Sequence, residues 1–263
     1  MTERLRVALL TQEEPFYLPA ALERFCAGCK DDLVGLIVLP AFNESRWKNA
    51  KRLYEFFGPV DFGRLTVRFG LAKVTDKINR MKPLTRPFSA HDVAQRHGVP
   101  LLTPPKINGA EFIERLRTEI RPDILVSIAA SQILKQKVLD VPRLGCINLH
   151  SAPLPRYQGM MPNFWTMMHG EPEATVTVHY MVEKLDAGDI VLQKPVPILP
   201  RDSLHALMIR SKEIGVDALL EAIDQIRAGT ATPRPMDAAQ ATYFSFPKRA
   251  DARKLRDRGH PLL

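Results

Sequence analysis

Short apolar runs alternate along the chain with longer segments in which apolar residues recur every three or four positions. Continuous apolar runs are typical of strands buried in a parallel sheet, and the longer spacing is typical of helices packed on it. In the first half the predicted strands span residues 5–10, 33–39, 99–103 and 123–128. The predicted helices span residues 20–27, 91–96 and 111–119. This alternation predicts an α/β fold with a doubly wound, mostly parallel, Rossmann-like sheet.

The second half continues the same pattern. Strands are predicted at 144–150, 175–181 and 190–198, and a helix at 161–169. Ser203 can cap a long helix that Gly229 ends. Beyond Pro233 the pattern becomes irregular. We therefore expect a main domain over residues 1–230 and a short basic extension over residues 231–263.

An insertion over residues 41–88 interrupts the alternation. It places aromatic side chains among basic ones at roughly helical spacing. The aromatic residues are Trp47, Tyr54, Phe56, Phe57, Phe62 and Phe69. Such a segment suits an amphipathic helix at a membrane interface, a cover over a substrate site, or packing against the main domain. The sequence leaves all three open and does not favour membrane contact.

The composition, 45% hydrophobic and 25% charged, is that of an ordinary globular protein. No apolar stretch approaches the ~20 residues of a membrane span, and the N-terminus lacks the apolar segment of a signal peptide, so a cytoplasmic location is expected. No Gly-x-Gly-x-x-Gly follows the first strand, which argues against a dinucleotide cofactor. Cys26 and Cys29 have no second cysteine pair beside them, so no metal site is expected.

The predicted strand at 144–150 ends in Asn148 and His150, which alternate onto one face. The residues that follow include two prolines and Gly159, which predict a stiff loop at the carboxyl end of the strand, where open α/β sheets bind ligands. The amide of Asn148 can donate to a developing oxyanion, and protonated His150 can donate a hydrogen bond or a proton. This pair is therefore suited to acyl transfer.

A carboxylate would complete this site, and Asp186 is the candidate. It lies in Lys-Leu-Asp-Ala-Gly-Asp-Ile, a glycine-containing turn after the predicted strand 175–181. There it could hold the imidazolium of His150 and help to move protons. Taken singly, Asn148, His150 and Asp186 are each explained by a structural role in a turn, core or cap. Together they predict a catalytic set.

Three motifs resemble those of the 10-formyltetrahydrofolate-dependent formyltransferases: Asn-x-His, Pro-Leu-Pro-x-Tyr-x-Gly and Asp-Ala-Gly-Asp-Ile. The resemblance covers residues 85–230 and identifies Asn148, His150 and Asp186 with the catalytic residues of that family. Their spacing, 186 − 148 = 38 residues, also matches. One departure is Ala152-Pro-Leu-Pro155, where the family usually has Ser-Leu-Leu-Pro.

The resemblance implies that 10-formyltetrahydrofolate is the co-substrate and that no metal ion takes part. A flat pterin needs an apolar slot with backbone hydrogen-bonding edges. By position relative to the catalytic strand, the resemblance assigns this pocket to Gln132, Ile133 and Leu134, with Val182, Glu183, Lys184 and Leu185. Core packing of the two aliphatic residues Ile133 and Leu134 is an equally simple explanation.

The net charge, 37 − 29 = +8, is concentrated in two stretches. Residues 64–86 carry seven basic side chains and one acidic one, and residues 248–258 carry six and two. Such clusters suit an anionic acceptor, such as a nucleotide-linked amino sugar or tRNA, and a solvated basic face explains them equally well. Arg64, Arg68 and Lys73 are the candidate acceptor contacts.

The favoured function is transfer of a formyl group from 10-formyltetrahydrofolate to a primary amine of a small anionic acceptor, such as a nucleotide-linked sugar. tRNA is a less favoured acceptor, because methionyl-tRNA formyltransferases carry a large C-terminal domain for which residues 231–263 are too few. Hydrolysis of the formyl donor and a non-catalytic folate-binding role are the alternatives. The sequence does not determine the oligomeric state and leaves a homodimer open.

Overall fold

The computed structural model describes residues 4–40, 46–81 and 86–263, with the side chains of Arg46, Arg80 and Met81 excepted. Both the start of the predicted insertion and Lys82 of the basic cluster lie outside the described residues. The strands are β1 (Val7–Gln12), β2 (Leu33–Leu39), β3 (Leu101–Leu102), β4 (Ile124–Ile128), β5 (Cys146–His150), β6 (Gln158–Gly159), β7 (Glu173–Tyr180), β8 (Ile190–Pro197) and β9 (Tyr243–Phe244).

The helices are α1 (Leu18–Gly28), α2 (Arg46–Met81), α3 (Ala90–His97), α4 (Ala110–Arg115), α5 (Gln136–Leu139), α6 (Pro162–His169), α7 (Leu204–Ala228) and α8 (Arg249–Asp257). A π-helical turn at Leu116–Ile120 extends α4. Ser203 caps α7 by accepting from Ala206 N at 3.1 Å, and Gly229 ends it in the left-handed conformation. Most of the predicted elements are thus confirmed within a few residues.

Seven strands form the main sheet in the order β3-β2-β1-β4-β5-β7-β8. The first five are parallel, whereas β7 is antiparallel to β5 and β8 is antiparallel to β7. From β1 the chain adds β2 and β3 on one side of the sheet, and it then returns to add β4 and β5 on the other side of β1. This is the arrangement of a doubly wound sheet. The predicted α/β, mostly parallel fold is therefore confirmed.

The central strands are buried on both faces, which explains their continuous apolar runs. Leu9, Val126 and Ile147 contribute to one core, which helices α1, α6 and α7 cover. Leu10 and Leu125 point to the opposite core, which α4 and α5 cover. Asn148 and His150 follow the period-two alternation of β5 and therefore share the second face.

Helix α2 accounts for most of the predicted insertion. It bends at Gly58, which has a φ of 77° and is followed by Pro59. Before the bend, Phe56 is fully buried, and its ring centroid lies 5.4 Å from those of both Phe164 and Phe246. After the bend, Arg256 holds the helix through Asp61 at 2.9 Å. Packing against the rest of the protein thus explains Phe56, whereas Trp47 and Tyr54 before the bend and most residues after it are exposed.

The segment after Pro233 is more ordered than the sequence predicted, because it contains β9 and α8. The expectation of irregular structure there is wrong. Only Ala252 and Leu255 of α8 are fully buried apolar residues, so its apolar signal in the sequence is weak. Asp251 supports the helix start by accepting from Lys248 N at 2.9 Å. The division into domains at residue 230 stays a prediction.

Two further features bear on function. In the part of the chain that the structure describes, no helix combines the length and apolarity needed to cross a membrane.

Cys26 and Cys29 are buried, and burial raises the pKa of each thiol to about 12. Both thiols are therefore protonated at neutral pH and poorly suited to redox chemistry.

Replacing Phe56 by Ala should lower the free energy of unfolding by about 3–5 kcal/mol, because it leaves a cavity between α6 and the C-terminal segment. Phe69, which is 45% exposed on the same helix, is the matched control. Chemical denaturation should show a much smaller change for Phe69→Ala. Equal losses in the two variants would show that Phe56 does not anchor α2.

Candidate active site

The site is built at the carboxyl end of β5. His150 is buried and Asn148 is partly buried, and both side chains project from the same face of the strand. Because β7 is antiparallel to β5, it brings His179 directly opposite Asn148 and Thr177 opposite His150. The sheet thereby gathers polar side chains from two strands that are distant in sequence.

His179 holds the amide of Asn148. The ring Nδ1 lies 2.8 Å from Tyr180 O, a carbonyl that can only accept, so Nδ1 carries the proton. In the neutral ring Nε2 is then an acceptor, and Asn148 Nδ2 donates to it at 3.2 Å. Burial, reinforced by the nearby His150, lowers the pKa of His179 to about 4 and keeps the ring neutral. The amide orientation is thus fixed by the tautomer of its neighbour.

Asp186 lies between the two histidines. Its Oδ2 is 3.7 Å from His150 Nδ1, and its Oδ1 is 3.8 Å from His179 Nε2. The carboxylate is 8% exposed and accepts from Gly159 N at 3.0 Å. Its own backbone has a φ of 49°, which a turn residue such as Asp tolerates. The structure therefore brings together the three residues that the sequence predicted as catalytic.

The second ring nitrogen of His150 is also occupied. His150 Nε2 lies 2.8 Å from Tyr157 O and therefore donates to that carbonyl. Since Nε2 donates to this carbonyl, Nδ1 is the ring nitrogen that faces Asp186.

The proline loop is held in place by the C-terminal segment. Strand β6 of the loop pairs with β9, and Tyr157 N donates to Thr242 Oγ1 at 2.9 Å. At Gly159, with a φ of 96°, a Cβ would lie 2.4 Å from Phe244 O. Only glycine fits this position without displacing backbone. The loop that orients His150 and Asp186 is therefore positioned by residues far along the chain.

The predicted folate segments lie next to each other. Gln136 N donates to Glu183 Oε1 at 3.1 Å, which ties the chain after β4 to the chain after β7. Ile133, Val182 and Leu185 are 60%, 46% and 43% exposed, as apolar residues lining an open slot would be. The side chain of Leu134, by contrast, is 2% exposed and belongs to the core. The assignment of these segments to folate stays a prediction.

Sequence reasoning did not select His179 as a site residue. It lies in a run of four consecutive buried residues of β7, residues 176–179, and nothing in the local sequence distinguishes it from the others. The signal that could have found it is register, since an antiparallel partner of β5 must place one residue opposite Asn148. That register depends on the geometry of the chain between the two strands and is not visible in the composition of either.

The chain is similar to known proteins in sequence and in fold. The formyl transferase family model matches residues 72–223, more than half of the chain. The methionyl-tRNA formyltransferase of Syntrophus aciditrophicus is 38% identical over 205 residues, which cover 74% of this chain and 65% of the relative. The chain spans about half to two thirds of the length of the curated relatives that it matches.

Solved structures resemble the chain in fold. WlaRD, a sugar 3N-formyl transferase solved with dTDP and 5-N-formyl-THF, aligns with a TM-score of 0.59 at 18% identity, covering 92% of this chain and 70% of its own. Phosphoribosylglycinamide formyltransferase from Anaplasma phagocytophilum aligns with the same TM-score and identity, covering 92% and 99%. Since the family model spans more than half of the chain, from the second half of α2 into α7, and includes all three predicted catalytic residues, the chain belongs to the formyl transferase family.

Proposed function

We propose that the protein transfers the formyl group of 10-formyltetrahydrofolate to a primary amine. The observation that carries this proposal is the grouping of Asn148, His150 and Asp186 at the carboxyl end of β5 in a chain of this family. In support of the donor, the related sugar formyltransferase was solved with a formylated folate. The adjoining segments 132–134 and 182–185 are where the donor would bind.

The proposed chemistry follows from the hydrogen-bonding and proton-accepting groups of these side chains that remain available to the substrates. The amine attacks the formyl carbon, so a C–N bond forms and the carbonyl oxygen gains negative charge. Asn148 uses one amide hydrogen on His179 and keeps the other for this oxyanion. The bond to N10 of the folate then breaks. The amine gives up one proton and N10 gains one, and the His150–Asp186 pair can store it between these steps.

The acceptor is proposed to carry negative charge. Tyr17 and His205 are joined by a 2.9 Å hydrogen bond beyond the carboxyl end of β1. Burial raises the pKa of Tyr17, with a further contribution from Glu14, and burial together with the positive charge of Arg68 lowers the pKa of His205. Because β1 and β5 point the same way in the sheet, Arg68 lies beside the same edge of the sheet as the proposed catalytic residues.

Two kinds of acceptor fit this description. A nucleotide-linked amino sugar is favoured by the fold similarity to a sugar formyltransferase. Methionyl-tRNA is the second candidate, because curated relatives at 35–38% identity are methionyl-tRNA formyltransferases. Release of tetrahydrofolate should be assayed with amino-sugar nucleotides, methionyl-tRNA and no amine. Release that no amine accelerates would identify a hydrolase, and no release under any condition would contradict the proposed transfer.

Replacing Asn148, His150 or Asp186 by Ala should each reduce kcat strongly and leave the fold intact. We expect a loss of about 10²–10³ for the oxyanion donor and about 10²–10⁴ for the proton-transfer residues. The control is Ser211→Ala, which removes a buried hydroxyl bonded to Asn163 at 3.2 Å without touching the site. Near-normal formyl transfer by His150→Ala would overturn the assignment.

His179 should make stability depend on pH. Its pKa falls from 6.5 to about 4 on folding, so between these values the unfolded chain binds the extra proton more readily. The free energy of unfolding should therefore decrease as pH falls from 6.5 to 4. His179→Gln should weaken that decrease, whereas the exposed control His91→Gln should not. Equal pH dependence in both variants would show that His179 is not held neutral.

Neutralising Arg68 should raise the KM for the acceptor and leave the KM for folate unchanged, because the charge would act in ground-state attraction. Arg68→Gln should lose about 0.2–1 kcal/mol of acceptor binding, and less at high salt. Arg117→Gln, on the exposed surface of the π-helical turn, is the control. Unchanged acceptor KM in Arg68→Gln at low salt would identify a solvated basic face.

A further inference from the structure

The second half of α2 carries a continuous apolar surface that faces solvent. Its five aliphatic side chains, which we call the aliphatic stripe, are Val60, Val67, Leu71, Val74 and Ile78. Their relative exposures are 66%, 63%, 62%, 58% and 50%. At about 100° per residue, spacings of seven, four, three and four residues place all five within an arc of about 60°.

The opposite side of the same helix faces the protein. Asp76 is buried and accepts from Ser89 Oγ at 2.7 Å, and Asn79 is also buried. Phe69 lies toward the β1 loop, with its ring 6.4 Å from that of Phe16. The stripe is thus the solvent side of a docked helix. It runs for about 27 Å, at 1.5 Å per residue over eighteen residues.

Basic side chains border the stripe and acidic ones do not. Arg64 lies on one side and Lys77 on the other, and both are exposed. The acidic residues of this half lie away from the stripe. Asp61 is shared between Arg256 at 2.9 Å and Arg64 at 3.4 Å, so it balances part of their charge, and Asp76 accepts from Ser89. Gly63 and Gly70 have no side chains, and the space beside them is open, since nothing lies within 4 Å of a Cβ built at either position. The surface is narrow, flat, aliphatic and cationic at its margins.

These properties favour one kind of partner. A second copy of the chain would match the aliphatic side chains but would place two rows of cations together, with Arg64 in the seam. RNA would match the cations and leave the aliphatic side chains in water. An anionic lipid surface accepts both, because the stripe enters the acyl boundary while Arg64 and Lys77 reach the headgroups.

We propose that the aliphatic stripe of α2 docks this protein reversibly on anionic membranes, with the helix lying in the plane of the interface. The inference is independent of the proposed formyl transfer, because none of the residues that carry it belongs to the catalytic set. Binding is weak and salt-dependent, since five aliphatic side chains and two cations supply much less than a lipid anchor with two acyl chains.

The test is co-sedimentation of the full chain with vesicles of phosphatidylglycerol and phosphatidylcholine in equal parts. We expect binding to these vesicles, little binding to pure phosphatidylcholine, and release by added salt. Val67→Ser/Leu71→Ser/Val74→Ser should lower partitioning by about tenfold or more. The matched control, Leu199→Ser/Ile209→Ser, changes exposed apolar residues elsewhere and should bind as the parent does. Leu71→Gln alone serves as the smaller change should circular dichroism show the triple variant misfolded.

The cationic margin is tested separately. Arg64→Gln/Lys77→Gln should reduce binding by about fivefold per charge, whereas Lys30→Gln/Arg117→Gln, also exposed, should not. Equal binding to charged and neutral vesicles, or none to either, overturns the proposal. So does a dimer in light scattering that the triple variant abolishes, which would assign the stripe to a second copy. Binding to tRNA in place of vesicles, lost with Arg64→Gln/Lys77→Gln alone, would assign the surface to RNA.

Discussion

The antiparallel pairing of β7 with β5 is the constraint on which the site depends. It sets His179 against Asn148, and the turn that follows β7 carries Asp186 back to His150. Each hydrogen bond in this cluster determines the next one. The Tyr180 carbonyl accepts from His179 Nδ1 and so fixes the tautomer of His179, and that tautomer fixes the orientation of the Asn148 amide. A slip of one residue in the register of β7 would turn His179 and Thr177 to the other face of the sheet, away from Asn148 and His150.

Much of the fold could be predicted because its signals are local. Strand β2 was placed at its observed residues, and α7 was bounded by Ser203 and Gly229, since an apolar run, a cap and a left-handed glycine each act within a few residues. Helix α8 was missed for the same reason. Its contacts are with elements distant in sequence, through the buried Ala252 and Leu255 and through Arg256, which pairs with Asp61, and its own residues are mostly charged.

The residues of the candidate site also divide into those with a local signal in the sequence and those without one. Asn148, His150 and Asp186 were found because their chemistry and spacing are visible in the sequence, whereas His179 required the register between strands. For Leu134 the sequence left two explanations, and the buried side chain favours the core. Its backbone can still border the predicted folate slot, next to the exposed Ile133. Distinguishing side-chain contact from backbone contact needs a direction in space, which a linear pattern does not contain.

The pairing of β6 with β9 also has a consequence for the order of folding. The partner strand of the proline loop, Tyr243–Phe244, follows the loop by 85 residues (243 − 158 = 85). Until that strand has left the ribosome, the loop lacks the hydrogen bonds that Thr242 and Phe244 provide. Since domains fold as their chain emerges, the main sheet can assemble while the proline loop still lacks its partner strand. The nascent protein would therefore form its main sheet before the loop beside His150 and Asp186 is held in place.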